Sequence, residues 1–336
     1  MNPLQSYRLR LRRRRLELRA RRKRRELSSL QDNTNAIRSG DVLLFATVFN
    51  EAIRLPYFLE YYRNLGVSHF LIIDNGSSDG SVELLQNQSD VSIWQTEASY
   101  KRSRFGVDWI TALQTKYGVG HWCLVVDVDE FLVYPYCDTR PLPALTDWLD
   151  ASGVRAFGTL LLDMYPKGKV VDAVYSAGQN PIEICEWFDA GNYTYEQNHL
   201  FGNLWIQGGV RSRVFFSETP KSAPALNKVP LVKWRKGYVY ESSTHMLLPR
   251  GLNLVYDTVG GEKTSGALLH TKFMNDLGNK LNNETVRKQH YANGVEYRHY
   301  VEELENSPEL WNRWSEKYIN WRQLEIMGLM SKGNWA

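Results

Sequence analysis

Cysteine is scarce in this sequence, and long apolar runs are absent from it. Three cysteines, Cys123, Cys137 and Cys185, occur in 336 residues, and no two have the C-x-x-C spacing of a metal or redox site. An odd number without that spacing argues against a disulfide framework and favours a reducing compartment, so we expect a cytoplasmic protein. The sequence has no run of 18 or more apolar residues, so we expect no transmembrane helix. The arginine-rich N-terminus lacks the apolar stretch of a secretory signal.

The composition is that of a globular protein. With 43% hydrophobic, 23% charged and 12% aromatic residues, the chain can bury the core of one large domain or two ordinary ones. This excludes a disordered chain, a small disulfide scaffold and a collagen-like fibre.

The net charge of +4 conceals a strongly basic segment near the N-terminus. Residues 8–25 carry twelve Lys or Arg and one acid, Glu17, whereas the rest of the chain has a net charge of about −7. Such a segment is attracted to polyanions, either lipid headgroups or nucleic acid. A solvated tail is the alternative.

The leucines of this segment are split between two sides of a helical wheel. One side has Leu9, Leu16 and Leu27, and the nearly opposite side has Leu4, Leu11 and Leu18. A membrane-inserting helix gathers its leucines on one face, so the pattern favours electrostatic contact with an anionic membrane surface. The expected surface is the inner face of the cell membrane. Nucleic acid is the less favoured partner, because leucines stand where base-stacking aromatics would be.

From residue 41 onward, strand-like and helix-like apolar patterns alternate. Strands are predicted over residues 42–49, 69–74, 91–94 and 122–126. The first helix between them has an i, i+3, i+4, i+7 face of Leu55, Phe58, Leu59 and Tyr62, the second is short and ends near Asn87, and the third has a face marked by Trp109, Ile110, Leu113 and Tyr117. A further apolar run at 156–162 ends at Asp163. This alternation predicts an α/β fold with a doubly wound, mostly parallel sheet, in which ligands bind at the carboxyl ends of the strands.

Acidic and hydroxyl-bearing residues follow three of the predicted strands. Asn50 and Glu51 come after the first strand, residues 74–80 (DNGSSDG) after the second, and Asp127 and Asp129 after the fourth. In an extended chain, residues 127 and 129 point to one side, where two carboxylates recruit Mg²⁺ or Mn²⁺. Alone, each motif also fits an ordinary solvated strand end or an Asx/Ser turn.

Together, the segments TVFNE, IIDNGSSDGS and LVVDVDEF closely resemble the N-terminal half of the GT-A glycosyltransferases of the family 2-like group. The blocks GGVRSR, PLVKW, SSTH and LLHTKF extend the resemblance to the bacterial subgroup with the DVDEF motif, over residues 41–275. We therefore expect a Rossmann-like GT-A domain at 39–275, a basic arm at 1–38 and a helical extension at 276–336.

The resemblance implies metal-dependent transfer of a sugar, with inversion, from a nucleotide sugar. The expected donor is UDP-linked, and the expected acceptor is a glycan or glycolipid of bacterial surface or exopolysaccharide synthesis. Two alternatives stay open at this point. One is a nucleotidyltransferase, and the other is a non-catalytic module that binds a nucleotide or a glycan.

The resemblance also implies roles for individual residues in donor binding. Thr47, Asn50 and Glu51 occupy nucleoside-contacting positions, Asp74 matches the aspartate that reads the base, and Asp127 matches the first DxD residue, which meets the ribose and the metal. Three basic residues could assist the leaving diphosphate, namely Arg211, Arg213 and Lys233.

Metal ligands and a general base are implied by the same resemblance. Asp127, Asp129 and His270 match the ligands of Mn²⁺ or Mg²⁺, with His245 as a second candidate, although a lone histidine after apolar residues is more often a core residue. No clear acidic pair opens a helix at the place where the family's base is found. Our candidates for the base are Asp163 and Glu218, with Glu196 behind them. Four aromatics are candidates for acceptor contact: Trp187, Tyr193, Tyr195 and Trp205.

Overall fold

The computed structural model describes residues 2–257, 263–275 and 309–335. Its helices are α1 Pro3–Lys23, α2 Leu55–Leu65, α3 Ser81–Gln86, α4 Val107–Tyr117, α5 Leu142–Ala151 and α6 Trp321–Ile326. Its strands are β1 Ser28–Gln31, β2 Val42–Val48, β3 His69–Asp74, β4 Val91–Gln95, β5 Trp122–Val125, β6 Glu130–Val133, β7 Ala156–Asp163, β8 Trp187–Asp189, β9 Thr194–Asn198, β10 Asn203–Gln207, β11 Asn227–Lys233, β12 Val239–Ser242, β13 Met246–Leu248, β14 Ser265–His270 and β15 Ser315–Lys317.

Nine strands form one mixed sheet in the order β1-β4-β3-β2-β5-β11-β7-β14-β6. β4, β3, β2, β5, β7 and β14 run in one direction, whereas β1, β11 and β6 run in the other. The sheet is therefore mostly parallel in strand direction. The predicted α/β fold class is confirmed.

Both faces of this sheet are covered, which explains the near-continuous apolar runs of its strands. Along β2, Val42 and Leu44 pack into one hydrophobic cluster, and Leu43 and Phe45 pack into another on the opposite face. Alternate side chains of a strand point to opposite faces, so a strand covered on both sides is apolar throughout.

Helices α2 and α4 supply the two covers with the residues that the periodicity predicted. Phe58 and Leu59 of α2 belong to the first cluster, and Trp109 and Leu113 of α4 belong to the second. α2 ends at Gly66, whose φ of 102° is left-handed and therefore suits glycine.

The basic segment is part of the folded body. Leu9 and Ala20 of α1 are buried, and β1 pairs antiparallel with β4, so the sheet begins at residue 28 and not near residue 41 as the sequence predicted. The boundary of the arm at residue 38 stays a prediction. None of the described helices is both long and apolar enough to cross a membrane.

The predicted helical extension lies partly outside the described residues, which resume at Glu309. Between 309 and 335 the chain forms β15, which pairs with β8, and the short helix α6. Trp321 of α6 is buried, and its indole donates to Asp138 at 2.9 Å. This part of the extension therefore packs against the sheet-bearing body.

Candidate functional site

One edge of the main sheet collects most of the polar residues that the sequence singled out. β3, β7 and β14 end there, at Asp74, Asp163 and His270. The antiparallel strands β11 and β6 begin there, which brings Lys228 and Glu130 to the same edge. Carboxyl ends of parallel strands are where open α/β sheets bind ligands.

Asp127 and Asp129 lie in a tight turn between β5 and β6, and not in the extended chain that the sequence predicted. The Glu130 N–H donates to the Asp127 carbonyl at 3.0 Å, which closes the turn. A turn separates the side chains of residues two apart. Asp127 accordingly faces solvent, whereas the Asp129 side chain is only 20% exposed and lies beside His270.

A buried triad joins Asp163, Arg211 and His270. The Arg211 guanidinium donates to both Asp163 oxygens at 2.7 Å, and His270 Nδ1 lies 2.6 Å from Asp163 Oδ1. Arg211 also approaches His270 Nδ1 at 2.9 Å. We assign the imidazole proton to Nδ1, because an unprotonated Nδ1 would face the carboxylate with its lone pair.

The charges of the triad stabilise one another. Burial alone would raise the pKa of Asp163, but Arg211 and His270 hold that pKa well below its ordinary value. Burial lowers the pKa of His270, yet the carboxylates of Asp129 and Asp163 outweigh burial and raise it. Because both Asp163 oxygens are bonded and the carboxylate is stabilised, this geometry favours a role in orienting His270 over the predicted role as general base.

A second buried ion pair, Lys228 with Glu130, lies next to Asp127. Lys228 Nζ donates to Glu130 Oε1 at 2.8 Å, and the Asp127 N–H donates to Glu130 Oε2 at 3.2 Å. Burial lowers the pKa of Lys228, but Glu130 and Asp127 raise it further than burial lowers it. Partial loss of hydration among the surrounding residues, and then the negative charge of Glu130, raise the pKa of Asp127 to about 7. Part of the Asp127 side chain still contacts solvent.

Arg54 brings a third cation to this edge. It is 4% exposed, donates to the Thr271 carbonyl at 3.1 Å, and lies 3.7 Å from Asp129 and 3.9 Å from Glu51. Glu51, a predicted nucleoside contact, thus belongs to the same cluster of charges as Asp129.

The donor set fits a divalent cation in part. Asp129 Oδ2 lies 3.5 Å from His270 Nε2, the nitrogen that stays available when Nδ1 carries the proton. Adjacent ligands of an octahedral cation stand about 3 Å apart, so a small shift lets both bind one ion. Among residues 2–257, 263–275 and 309–335, no group of three His, Cys, Asp or Glu side chains is close enough to hold a metal. The role of Asp127 as a third ligand stays a prediction.

The loop after β3 is built around Asp74. Its carboxylate is fully buried and accepts from the Gly76 and Ser77 N–H groups at 3.0 and 3.2 Å. The Asn50 side chain accepts from the Ser78 N–H at 2.8 Å, which ties the loop to the end of β2. These bonds give Asp74 and Asn50 a role in shaping the loop, and their predicted contacts with the base and nucleoside stay predictions.

Thr47 lies beside a strained turn. Its Oγ1 is buried and has no hydrogen-bond partner among the described residues. The turn before α4 holds three consecutive left-handed residues, Arg104, Phe105 and Gly106, and a Cβ at Gly106 would come within 2.7 Å of that hydroxyl oxygen. Glycine at 106 therefore permits the close approach to Thr47.

Arg211 reaches the site from a helical turn. Residues Arg211–Phe215 form a π-helical turn, and Gly208 before it passes so close to Asn192 and Tyr193 that a Cβ would clash with their backbone. Glu218 follows in an exposed turn, without a hydrogen bond or ion pair to any described site residue. Its role as base stays a prediction, as does that of Glu196, which is exposed on β9.

Two of the predicted cations lie away from the site. Lys233 pairs with Asp150 at 2.8 Å and ends β11 opposite Trp122, the first residue of β5, so it stands at the other edge of the sheet. Arg213 donates to Asp189 at 2.8 and 2.9 Å. β11 runs antiparallel, so its first residues reach the site, and Lys228 stands where Lys233 was expected.

His245 does not join the charged cluster. Its Nδ1 lies 2.7 Å from the Asn227 carbonyl, and burial, with Lys228 next in effect, lowers its pKa to about 3. It is thus a neutral histidine near the first residues of β11. Trp205 packs beside its ring at 6.2 Å between centroids, whereas Trp187 packs on Trp311.

Comparisons with known proteins leave the family open, since no family model and no curated protein matches the chain. Among solved structures it is similar to the mannosyltransferase PcManGT from Pyrobaculum calidifontis in complex with GDP-Man and Mn²⁺, with 17% identity and a TM-score of 0.29 over 47% of each chain. It thus spans about half of that chain.

Two further solved structures are similar at the same low level. One is 4-diphosphocytidyl-2C-methyl-D-erythritol synthase, with 14% identity and a TM-score of 0.24 over 41% of this chain and 65% of that one. The other is a protein assigned as a glucose-1-phosphate thymidylyltransferase from Bacillus anthracis, in complex with a sucrose, with 8% identity and a TM-score of 0.30 over 86% and 95%. Such values carry no argument about function.

Proposed function

We propose that this protein is a metal-dependent glycosyltransferase that moves a sugar from a nucleotide-sugar donor, UDP-linked by expectation, to a glycan or glycolipid acceptor. The observation that carries the proposal is the pairing of Asp129 with His270 at the carboxyl edge of the sheet, where Asp163 and Arg211 hold the imidazole. A carboxylate that accepts from the far nitrogen of a histidine is the usual support for a metal-binding imidazole.

The residues that would hold Mn²⁺ or Mg²⁺ are Asp129 and His270, with Asp127 next to them. Mg²⁺ in proteins commonly takes one or two side chains and fills its remaining positions with water and substrate phosphate oxygens, so two ligands suffice. When bound, the cation stabilises the negative charge of the departing nucleoside diphosphate.

The chain's own cations would share that task. Lys228 and Arg54 both lie close to the Asp127–Asp129 turn, since Lys228 bonds Glu130 and Arg54 lies 3.7 Å from Asp129. Fixed positive groups aimed at a departing anion lower the barrier to its departure, because they need no rearrangement during the reaction. Arg211 acts through Asp163 and His270 in this proposal.

Donor recognition is assigned to the ends of β2 and β3. The unpartnered hydroxyl of Thr47 is suited to accept or donate a hydrogen bond to a ligand, and Asp74 with Asn50 fixes the loop beside it. Leaving a buried polar group unpaired is costly, so a ligand that pairs with Thr47 gains affinity. Sugar transfer with inversion, in bacterial surface or exopolysaccharide synthesis, is the expectation taken from the sequence resemblance.

The location of the reaction is a further part of the proposal. The basic residues 8–25 would bring the protein to an anionic membrane surface on the cytoplasmic side, where a glycolipid acceptor would lie. Their charge of +11 supports attraction to such a surface.

The test is a product assay across a panel of UDP- and GDP-sugars and, in separate reactions, of nucleoside triphosphates with sugar 1-phosphates, each with and without Mn²⁺. Glycosyl transfer, or donor hydrolysis without acceptor, releases a nucleoside diphosphate, whereas a nucleotidyltransferase releases pyrophosphate from a nucleoside triphosphate and a sugar phosphate. Mn²⁺-dependent diphosphate release that is lost in Asp129→Asn supports the proposal. The matched control is Asp150→Asn, which changes a half-exposed carboxylate at the opposite edge.

Release of pyrophosphate alone would replace the proposal by nucleotidyl transfer. Nucleotide or glycan binding without turnover of any donor would identify a binding module.

A further inference from the structure

Helix α1 places its two rows of leucines in different surroundings. Leu9 is buried in a cluster with Phe201, and Leu16 packs on the same cluster. The other row, here called the exposed row, points away from the body: Leu4, Tyr7, Leu11 and Leu18 are 57%, 58%, 46% and 54% exposed. Leu4, Leu11 and Leu18 are seven residues apart, which shifts each by only about 20° around the helix, so they form one narrow stripe.

Two ion pairs fix the rotation of α1 on the body. Arg19 donates to the fully buried Asp108 of α4 at 2.6 Å, and Arg12 pairs with Glu241 of β12. Since Ala20 is buried as well, the helix cannot turn to bury the exposed row without breaking these contacts.

Arginines surround the exposed row. Arg8, Arg15 and Arg22 each follow one of its leucines by four residues, so they stand one turn further along the same side of the helix. They are exposed, and within the described part of the chain no carboxylate pairs with them. The outer face of α1 is therefore an apolar stripe flanked by unpaired positive charges.

We infer that this outer face is an interfacial membrane site, in which the exposed row enters the headgroup region of an anionic bilayer and the arginines bind the lipid phosphates. The inference rests on the membrane contact proposed above for residues 8–25 and makes it specific in its face and its mode. Packing of α1 on the body buries Leu9 and covers Leu16, whereas Leu4, Leu11 and Leu18 stay exposed. The helix has leucines on two sides, but in the folded protein only one of these sides is open to a membrane.

A second copy of the chain fits this face poorly. A leucine repeat of seven residues suggests a coiled coil, but the matching positions three residues later hold Tyr7, Arg14 and Arg21. A coiled-coil seam needs apolar residues at both positions, and burying two arginines there would cost free energy even though Arg21 already pairs with Glu17.

Nucleic acid fits the face less well than lipid does. The centre of the basic face is aliphatic, and leucine offers neither a hydrogen bond to a phosphate nor a surface that stacks on bases. A lipid bilayer matches both parts of the face, because its acyl chains can contact the leucine stripe and its headgroup phosphates can bind the arginines.

The test uses the full-length chain, because removing α1 would uncover Phe201 and removing β1 would uncover β4. Sedimentation with vesicles of phosphatidylcholine and phosphatidylserine is compared for wild type and for the variant Leu4→Ser/Leu11→Ser/Leu18→Ser. The control is Val119→Ser/Val154→Ser, which changes two exposed valines outside α1. Wild type and control should bind alike, and the leucine variant at least tenfold more weakly, with an unchanged melting temperature.

A second measurement reports insertion directly. An environment-sensitive fluorophore on Leu11→Cys should shift to the blue on adding these vesicles, whereas the same fluorophore on Val119→Cys should not. The three native cysteines are buried or half-buried, which limits their labelling.

The outcomes separate insertion from attraction. If Arg8→Gln/Arg15→Gln/Arg22→Gln loses vesicle binding while the leucine variant keeps it, the electrostatic contact stands and the inserted row is overturned. If wild type ignores vesicles and binds RNA or duplex DNA, or dimerises through the leucines, both membrane proposals fall. The glycosyl-transfer proposal is unaffected in each case.

Discussion

His270 and Asp163 end neighbouring parallel strands in register, and Nδ1 of the histidine lies 2.6 Å from the aspartate Oδ1. The strand pairing thus places the imidazole, and the carboxylate fixes its tautomer. Arg211 donates two hydrogen bonds to the same carboxylate, so the orientation of His270 depends on all three residues.

The first prediction concerns Asp163→Asn. The amide cannot hold His270 and Arg211 as a carboxylate does, so the affinity for Mn²⁺ should fall about 10- to 100-fold. Isothermal titration with Mn²⁺ in the presence of UDP or GDP measures this. Loss of one partner of a buried pair also costs about 3–5 kcal/mol of unfolding free energy, so the fold is checked by circular dichroism. Unchanged Mn²⁺ affinity in a folded variant would leave Asp163 with a purely structural role.

The second prediction concerns the buried pair of Lys228 and Glu130, whose side chains are 6% and 2% exposed. Lys228→Met leaves the Glu130 carboxylate unpaired and should reduce the unfolding free energy by about 3–5 kcal/mol. Adding Glu130→Gln should restore about 2 kcal/mol or more, because the uncompensated charge is gone. Urea denaturation of both single variants and the double variant measures the coupling. Additive losses would mean that the two groups act independently.

The third prediction separates two roles of Asp74. Asp74→Ala leaves the Gly76 and Ser77 N–H groups without an acceptor, so the protein without nucleotide should lose about 1–3 kcal/mol of stability. Asp74→Asn keeps one acceptor oxygen and should retain most of the stability while binding UDP more weakly. Thermal melting and UDP titration of both variants are the measurements. Full UDP affinity in Asp74→Asn would place base recognition elsewhere.

The fourth prediction is a pH dependence that arises from His245. Its folded pKa of about 3 lies below the unfolded value of 6.5, so the unfolded chain binds the proton first as the pH falls. The neutral histidine therefore contributes full stability above about pH 6.5, and this contribution is lost between pH 6.5 and 3. Between pH 7.5 and 5, wild type should lose about 1–2 kcal/mol more than His245→Gln does, the lower figure allowing for partial exposure. Equal losses in urea denaturation at the two pH values would contradict the lowered pKa.

The sequence predicted best the strands that are buried on both faces of the sheet. β3 was predicted at residues 69–74 and is found there, and Asp163 was predicted at a strand end and is the last residue of β7. These strands are buried on both faces, so an unbroken apolar run marks them and a polar residue marks their end.

The residues that the sequence did not reveal lie on reversed or irregular segments. Lys228 begins an antiparallel strand, and the apolar run that marks a strand does not tell its direction. Arg54 lies four residues beyond Asn50, just before α2, where a charged residue normally faces solvent. The single available signal for Lys228 was its position before the apolar residues of β11.

The arm could not be predicted because its contacts are tertiary. A helical wheel shows which leucines share a side, and the wheel did separate Leu9 and Leu16 from Leu4, Leu11 and Leu18. Which side docks depends on the partner surface formed by Phe201, Val239 and Leu248. No local pattern in residues 1–25 encodes that surface.

The most direct test of the proposed metal site is the Mn²⁺ dependence of nucleoside diphosphate binding. Isothermal titration of UDP, and in parallel GDP, is carried out with and without Mn²⁺ on wild type, Asp129→Asn, His270→Ala and the control Asp150→Asn. We expect Mn²⁺ to tighten binding of one of them at least tenfold in wild type and control, which is about 1.4 kcal/mol, and to have little effect in the two site variants. The same tightening in all four proteins would show that Asp129 and His270 do not hold the metal.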